Sequence, residues 1–219
     1  VVNLSAEDDT DTATVEVDED IDSVVEAAEA VDVDSEAESI RELYGLNEKR
    51  TEYFGRQCLL TRRLLERGVR FVQLYSGGGA DSWDAHEDVP DNHGRHAFEI
   101  DRPIAALMAD LKRQGMWDET LLIWGGEFGR TPRANKDSGR DHYPNVFSAA
   151  LAGGPVQGGR VVGSSDAKGA FPLDNPKSPQ EVLATLYRHL GIDPEITFDD
   201  FSGRPRHLLE RRDLIKELV

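Results

Sequence analysis

The sequence predicts an α/β fold, a largely parallel sheet flanked by helices. Two observations carry this expectation. Short apolar runs that end on glycine clusters recur along the chain, in "VRFVQLYSGGG", "TLLIWGG" and "NVFSAALAGG". Stretches with apolar residues at helical spacing lie between and around them. Strands separated by helical patterns imply parallel pairing with helices on the sheet faces.

The N-terminal stretch stands apart. Residues 1–40 hold 15 Asp and Glu and no Lys or Arg, so of the 42 acidic residues 27 remain, against 25 basic ones. The formal charge of −17 therefore belongs to a tail, and the body is nearly neutral. With no aromatic residue and high charge, the tail cannot bury enough apolar surface to offset the entropy of ordering. Residues 1–39 are expected to form an acidic, disordered extension with a short helix around Ile21–Ala30, leaving 40–219 as the folded part. No basic patch exists to neutralise phosphates, which argues against nucleic-acid binding. No apolar run approaches the ~20 residues of a membrane span.

From Ile40 onward the elements follow in order. "EYFGRQCLLTRRLLERG" puts Phe54, Cys58, Leu59 and Leu65 on one stripe and stops at Gly68, so it reads as a helix. Cys58, the single cysteine, excludes an internal disulfide and reads as a core residue. Val69–Ser76 alternates apolar and polar residues and reads as a strand. A long helix is expected over Arg95–Gln114, kinked or restarted at Pro103. "TLLIWGG" reads as a buried strand, "NVFSAALAGG" as a third strand and "GGRVVGSSD" as a fourth short piece. Ser178 caps a helix through "PQEVLATLYRHLG", and the tail "SGRPRHLLERRDLIKELV" reads as an extended piece and a terminal helix.

In parallel sheets, ligands bind beyond the carboxyl ends of the strands. The loops 76–94, 125–143 and 153–170 are therefore the places to search for chemistry. The first holds Asp81, Asp84, His86, Glu87, Asp88, Asp91 and His93, with His96 just beyond. Carboxylate with neutral imidazole suits Zn or Mn, although a plain polar loop carries the same residues. The second holds Glu127, Arg130, Arg133, Lys136, Arg140, Asp141 and His142. Planar guanidinium forks match phosphate or sulfate oxygens. Against that stand a solvated loop for the arginines and a structural hydrogen bond for His142. His189 and His207 read as structural. The third loop, "AGGPVQGGRVVGSSD", lacks the ending of a phosphate-binding loop.

Taken together, "CLLTRRLLERGVRFVQLYSGG", "WDAH", "ETLLIWGGEFGRTP", "GRDHYP", "LAGGPVQGGRVVGSSD" and "PQEVLATLYRHLGIDPE" resemble the bacterial sulfatase-like family known as domain of unknown function 1501. The resemblance runs from about Ser39 to Val219. It implies the C-terminal half of an alkaline phosphatase and sulfatase-like fold, with the nucleophile supplied by residues upstream. It also implies a divalent cation (Zn, Mn, Mg or Ca) held by Asp84, His86 and His142, with His93 as the substitute for His86. Glu127 would ligate a second ion or act as a base beside the metal, and Asp141 would join the metal-binding set. Arg130 and Arg140 would stabilise charge on the group transferred when a phosphate or sulfate ester, in a small anionic molecule or a polysaccharide, is hydrolysed. Where the superfamily carries a second Asp-His pair, this chain has Glu127 and Phe128. The rival expectation is a binding domain that keeps the fold without turnover. Members are often exported, so an exported location is part of what the resemblance implies.

Overall fold

A computed structural model describes residues 2–4, 29–77 and 82–219. The chain divides into two compact units, Val1–Gln114 with Asn135–Arg140, and Gly115–Ala134 with Asp141–Val219. The fold is mixed α and β. Its strands form four two-stranded pairs among the described residues, of which one is parallel and three are antiparallel.

The first unit contains β1 (Val2–Leu4), a 3-10 turn (Val33–Ser35), α1 (Glu38–Leu43), α2 (Glu52–Glu66), β2 (Val72–Leu74) and α3 (Val89–Arg113). β1 runs parallel to β2, with Val2 opposite Val72. α2 follows its apolar stripe and ends before Gly68, whose φ of +83° suits glycine alone. Cys58 and Leu59 are fully buried on it, as expected for a core cysteine. α3 packs on α2 and buries a stripe that includes His96, Ile100, Pro103, Leu107 and Leu111.

α3 begins six residues earlier than the sequence pattern indicates. Asp88 stands at its N-cap and accepts a hydrogen bond from the Asp91 N–H at 3.4 Å, and Pro90 occupies the first turn. His93 therefore lies on a helix and not in a loop. Pro103 is buried inside a helix that remains continuous, so the expected restart does not occur.

The core of this unit contains charge. Arg62, 4% exposed, places Nε 3.2 Å from Asp110 Oδ2 and Nη2 2.7 Å from Glu36 Oε1, as ion contacts without aligned hydrogen-bond geometry. Its Nη1 donates to Glu66 at 2.7 Å. Asp110 is fully buried and also accepts from Tyr44 Oη at 3.1 Å and Arg113 Nε at 3.0 Å. Burial and the Asp110 carboxylate push the Tyr44 hydroxyl far up, so it stays a donor.

The end of the acidic stretch is docked against this core. Ala30 and Val33 are buried, Arg63 Nε donates to the Ala30 carbonyl at 2.9 Å, and Glu36 pairs with Arg62 and Arg63. Most of the expected Ile21–Ala30 helix, and the disorder expected of residues 5–28, lie outside the described residues.

The second unit contains β3 (Leu122–Gly125), β4 (Ala149–Ala152), β5 (Ser164–Ser165), β6 (Pro172–Asp174), α4 (Pro179–His189), β7 (Thr197–Asp199) and β8 (Pro205–His207). β3 pairs antiparallel with β4, Leu122 opposite Ala152. The expected parallel pairing fails here for a topological reason. A parallel return needs a crossover, usually a helix, and no helix lies between Gly125 and Ala149. The run "LLIWG" is also not the buried strand its composition indicates, since Ile123 is 37% and Trp124 56% exposed. α4 carries a complete capping box, in which Ser178 Oγ accepts from Glu181 N and the Glu181 carboxylate accepts from Ser178 N at 2.7 Å. The expected C-terminal helix is absent. Its residues run past α4 in extended and turn conformation, and the Ile215 N–H donates to Thr185 Oγ1 at 3.1 Å, which takes a backbone group out of any helical ladder.

Candidate functional site

In the first unit, the segment Ser82–Asp88 leads into α3 and carries Asp84 and His86. His86 Nε2 lies 3.2 Å from Asp84 Oδ1, and both side chains are partly open to solvent. Only Ala85 separates them in sequence, and its side chain is buried, so the two polar neighbours are directed outward together.

The backbone of this segment is clamped by residues 135–140 of the same unit. Asp88 N–H donates to the Asp137 carbonyl at 3.0 Å, Val89 N–H to Ser138 at 3.2 Å, and Arg140 N–H to Ala85 at 2.9 Å. Asn135 Nδ2 donates to the His86 carbonyl at 2.8 Å, and Glu87 and Ser138 form an antiparallel bridge. The clamp is itself an Asx-type turn, because Asn135 Oδ1 accepts from Asp137 N and Gly139 N at 3.0 and 2.9 Å. Gly139 is where the two backbones meet. A Cβ there would stand 1.8 Å from the His86 carbonyl oxygen and 2.4 Å from Glu87 N. The sequence reading passed over Asn135 and Gly139, although "NKDSG" has the composition of such a turn.

His93, the substitute ligand, is placed otherwise. Its Nε2 faces the Trp83 carbonyl at 3.2 Å, and its ring lies 5.4 Å from the Trp83 indole. Arg140 belongs to the clamp through its backbone and is half-buried. Asp81 lies outside the described residues.

In the second unit, Glu127, Arg130, Asp141 and His142 gather on two facing strips of chain. Arg130 and His142 form an antiparallel bridge, Tyr143 N–H donates to the Gly129 carbonyl at 2.9 Å, and Thr131 N–H donates to Asp141 at 2.9 Å. Gly129 is buried where the strips touch, and a Cβ on it would stand 1.8 Å from the Val146 carbonyl oxygen. Of the glycines around Glu127 it is therefore Gly129 that the packing demands, whereas Gly126 faces open space.

Glu127 is exposed and accepts from Arg130 Nη2 at 2.9 Å. The Arg130 guanidinium also stands 5.1 Å from the Phe128 ring. Phe128 meets His142 edge to face, with ring centroids 4.8 Å apart. Phe128 thus packs against the His142 imidazole itself. Asp141 is exposed, and its N–H donates to Thr131 Oγ1 at 3.2 Å. His189 and His207 each face a backbone carbonyl, Glu119 and Glu195, at 3.1 and 3.2 Å. The residues flanking β5 turn back on Asp166, a short loop closed by Asp166 Oδ1 accepting from Ala170 N.

With the mixed α and β units and their His and carboxylate loops in place, the class is clear. The chain belongs to the family described as Protein of unknown function (DUF1501), which it matches over residues 3–219. The match includes the acidic stretch, which the motif resemblance beginning at Ser39 left out. No curated protein and no solved structure matches it. No helix among the described residues is long and apolar enough to cross a membrane.

Proposed function

We propose that the protein is a metal-dependent hydrolase of phosphate or sulfate esters, in which Asp84 and His86 are ligands of a divalent cation and the motif resemblance adds His142. The observation that carries this reading is the Asp84–His86 pair, two outward-facing metal-type donors 3.2 Å apart on a backbone clamped by residues 135–140. The part of His142 rests on the motif resemblance. One carboxylate with two imidazoles is a donor set for Zn or Mn more than for Mg or Ca, which prefer all-oxygen shells. The cation would supply Lewis acidity to a non-bridging ester oxygen. Arg140 and Arg130 would hold the anionic group through their guanidinium forks. Kinship with the alkaline phosphatase and sulfatase superfamily is part of this proposal and rests on the order of the motifs.

A second reading is a domain that binds a metal or an anion without turnover. It is favoured by the second unit, where Phe128 packs on His142 and Glu127 is engaged by Arg130. Metal analysis of the purified protein at neutral pH tests the ligand assignment. One equivalent of divalent metal is expected in the wild type, with loss in His142→Ala and Asp84→Asn. A wild-type chain without metal removes the assignment. Hydrolysis of nitrophenyl phosphate and nitrophenyl sulfate, assayed on the chain together with the upstream residues that the resemblance implies as the source of the nucleophile, then separates the two readings, since the binding domain turns over neither.

A further inference from the structure

The first turns of α3 also hold the start of the Asp84–His86 segment. Asn92 Nδ2 donates to the Ser82 carbonyl at 3.0 Å, and His93 Nε2 faces the Trp83 carbonyl at 3.2 Å. Trp83 is wedged in place. Its indole Nε1 donates to Ser76 Oγ at 3.1 Å, beyond the end of β2, and its ring lies against His93 and His96 at 5.4 and 5.1 Å. His96 is buried, and its Nδ1 lies 3.2 Å from Glu99 Oε2. Asp88 closes the segment as the N-cap of the same helix. Both ends of the seven-residue segment are thus fixed to one helix start.

We propose that His93 is a positioning residue, one that sets Asp84 by holding the carbonyl of the peptide bond between Trp83 and Asp84. A carbonyl oxygen only accepts, so His93 must carry its proton on Nε2. Fixing that peptide plane fixes the Cα of Asp84, the point from which its carboxylate projects. This deepens the hydrolase reading and rests on it for the ligand role of Asp84; the hold on the segment itself does not depend on a metal. The residue type is informative as well. Glutamine extends an amide N–H to about the reach of Nε2, whereas leucine fills the volume and donates nothing.

The experiment compares wild type, His93→Gln and His93→Leu in the full chain. Each is verified as folded by far-ultraviolet circular dichroism. Amide hydrogen exchange of residues 84–87 is measured without metal, and Co2+ is then titrated and followed by its visible absorption. Leucine is expected to speed exchange at these amides about tenfold and to weaken Co2+ binding by about 10–100-fold, the usual effect of losing a group that orients a ligand. Glutamine is expected to restore both to within a few fold of wild type. Exchange that is unchanged in His93→Leu, or lost equally in both variants, overturns the proposal. If no form binds Co2+, the ligand role of Asp84 falls, and the exchange contrast between leucine and glutamine still decides whether His93 holds the segment.

Discussion

Gly139→Ala gives the sharpest test of the clamp beneath His86. The added Cβ would stand 1.8 Å from the His86 carbonyl oxygen, where real contacts do not fall below 3.0 Å, so one backbone must retreat by about 1.2 Å. Neither partner is a flexible side chain end. Residues 135–140 are tied to the segment by hydrogen bonds from Asp88, Val89, Arg140 and Asn135, and a shift of that size strains or breaks several of them. Overpacking of this kind costs about 1–3 kcal/mol, or roughly 3–10 °C in melting midpoint for a chain of this length. Metal ligands tolerate displacements of only about 0.2 Å, so Co2+ affinity should fall by at least about tenfold. Gly94→Ala is the control. It lies in α3 with nothing within 4 Å of its added Cβ, and should raise stability by roughly 0.5–1 kcal/mol through the better helix propensity of alanine. Differential scanning calorimetry and a Co2+ titration read both variants. If Gly139→Ala melts and titrates like wild type, the close approach at His86 is not a feature of the protein and the argument from it fails.

Other expectations follow from the first unit. Arg62→Met leaves the fully buried Asp110 with Tyr44 and Arg113 but without its closest buried cation, and should destabilise by about 3 kcal/mol in urea unfolding; a loss under 1 kcal/mol would show that the core ion contacts are dispensable. Docking of residues 29–36 should be acid-sensitive. The hydrogen bond from Arg56 holds the Asp34 carboxyl below its ordinary value of 3.8, and for Glu36 burial raises the value while Arg62 and Arg63 lower it further, for a net fall below 4.5. Both folded values lie beneath the unfolded ones, so the contribution is fully present above 4.5 and is lost as pH falls through the folded values. Hydrogen exchange at these amides should therefore hold steady from neutral pH to about pH 5 and loosen below that, after correction for the intrinsic rate. Cys58 is fully buried, and burial pushes its thiol far up, so iodoacetamide should label it only in denaturant; rapid labelling of the native chain would contradict the packing of α2.

What the sequence discloses here divides along physical lines. Elements with their own local signals are legible: α2 with its stripe and Gly68, and α4 with Ser178, Glu181 and Gly191, need no distant partner to be recognised. Pairing direction is not, because it depends on whether a helix fills the return path, and the stretch after Gly125 contains none. The exposed face of β3 was hidden by composition, since Leu, Ile and Trp read as core wherever they occur. The start of α3 was masked by the polar residues that cap and cover it, which made His93 look like a loop histidine. Asp84 and His86 were legible as a neighbouring carboxylate and imidazole, whereas Gly139 and Asn135 were not legible, because their role is a contact made about 50 residues away in sequence.

That last contact has a consequence for how the chain acquires its shape. The partner strip for the Asp84–His86 segment is made only after Arg140 has been synthesised, and closing a loop of this length carries an entropic cost that local helices such as α2 and α3 do not face. Helix pairing should precede it, leaving Ser82–Asp88 unclamped in any early intermediate. A recombinant piece cut at the natural-looking boundary after Gln114 would keep both helices and still lack residues 135–140. Such a fragment would be well folded by circular dichroism while its Asp84–His86 pair had lost its support.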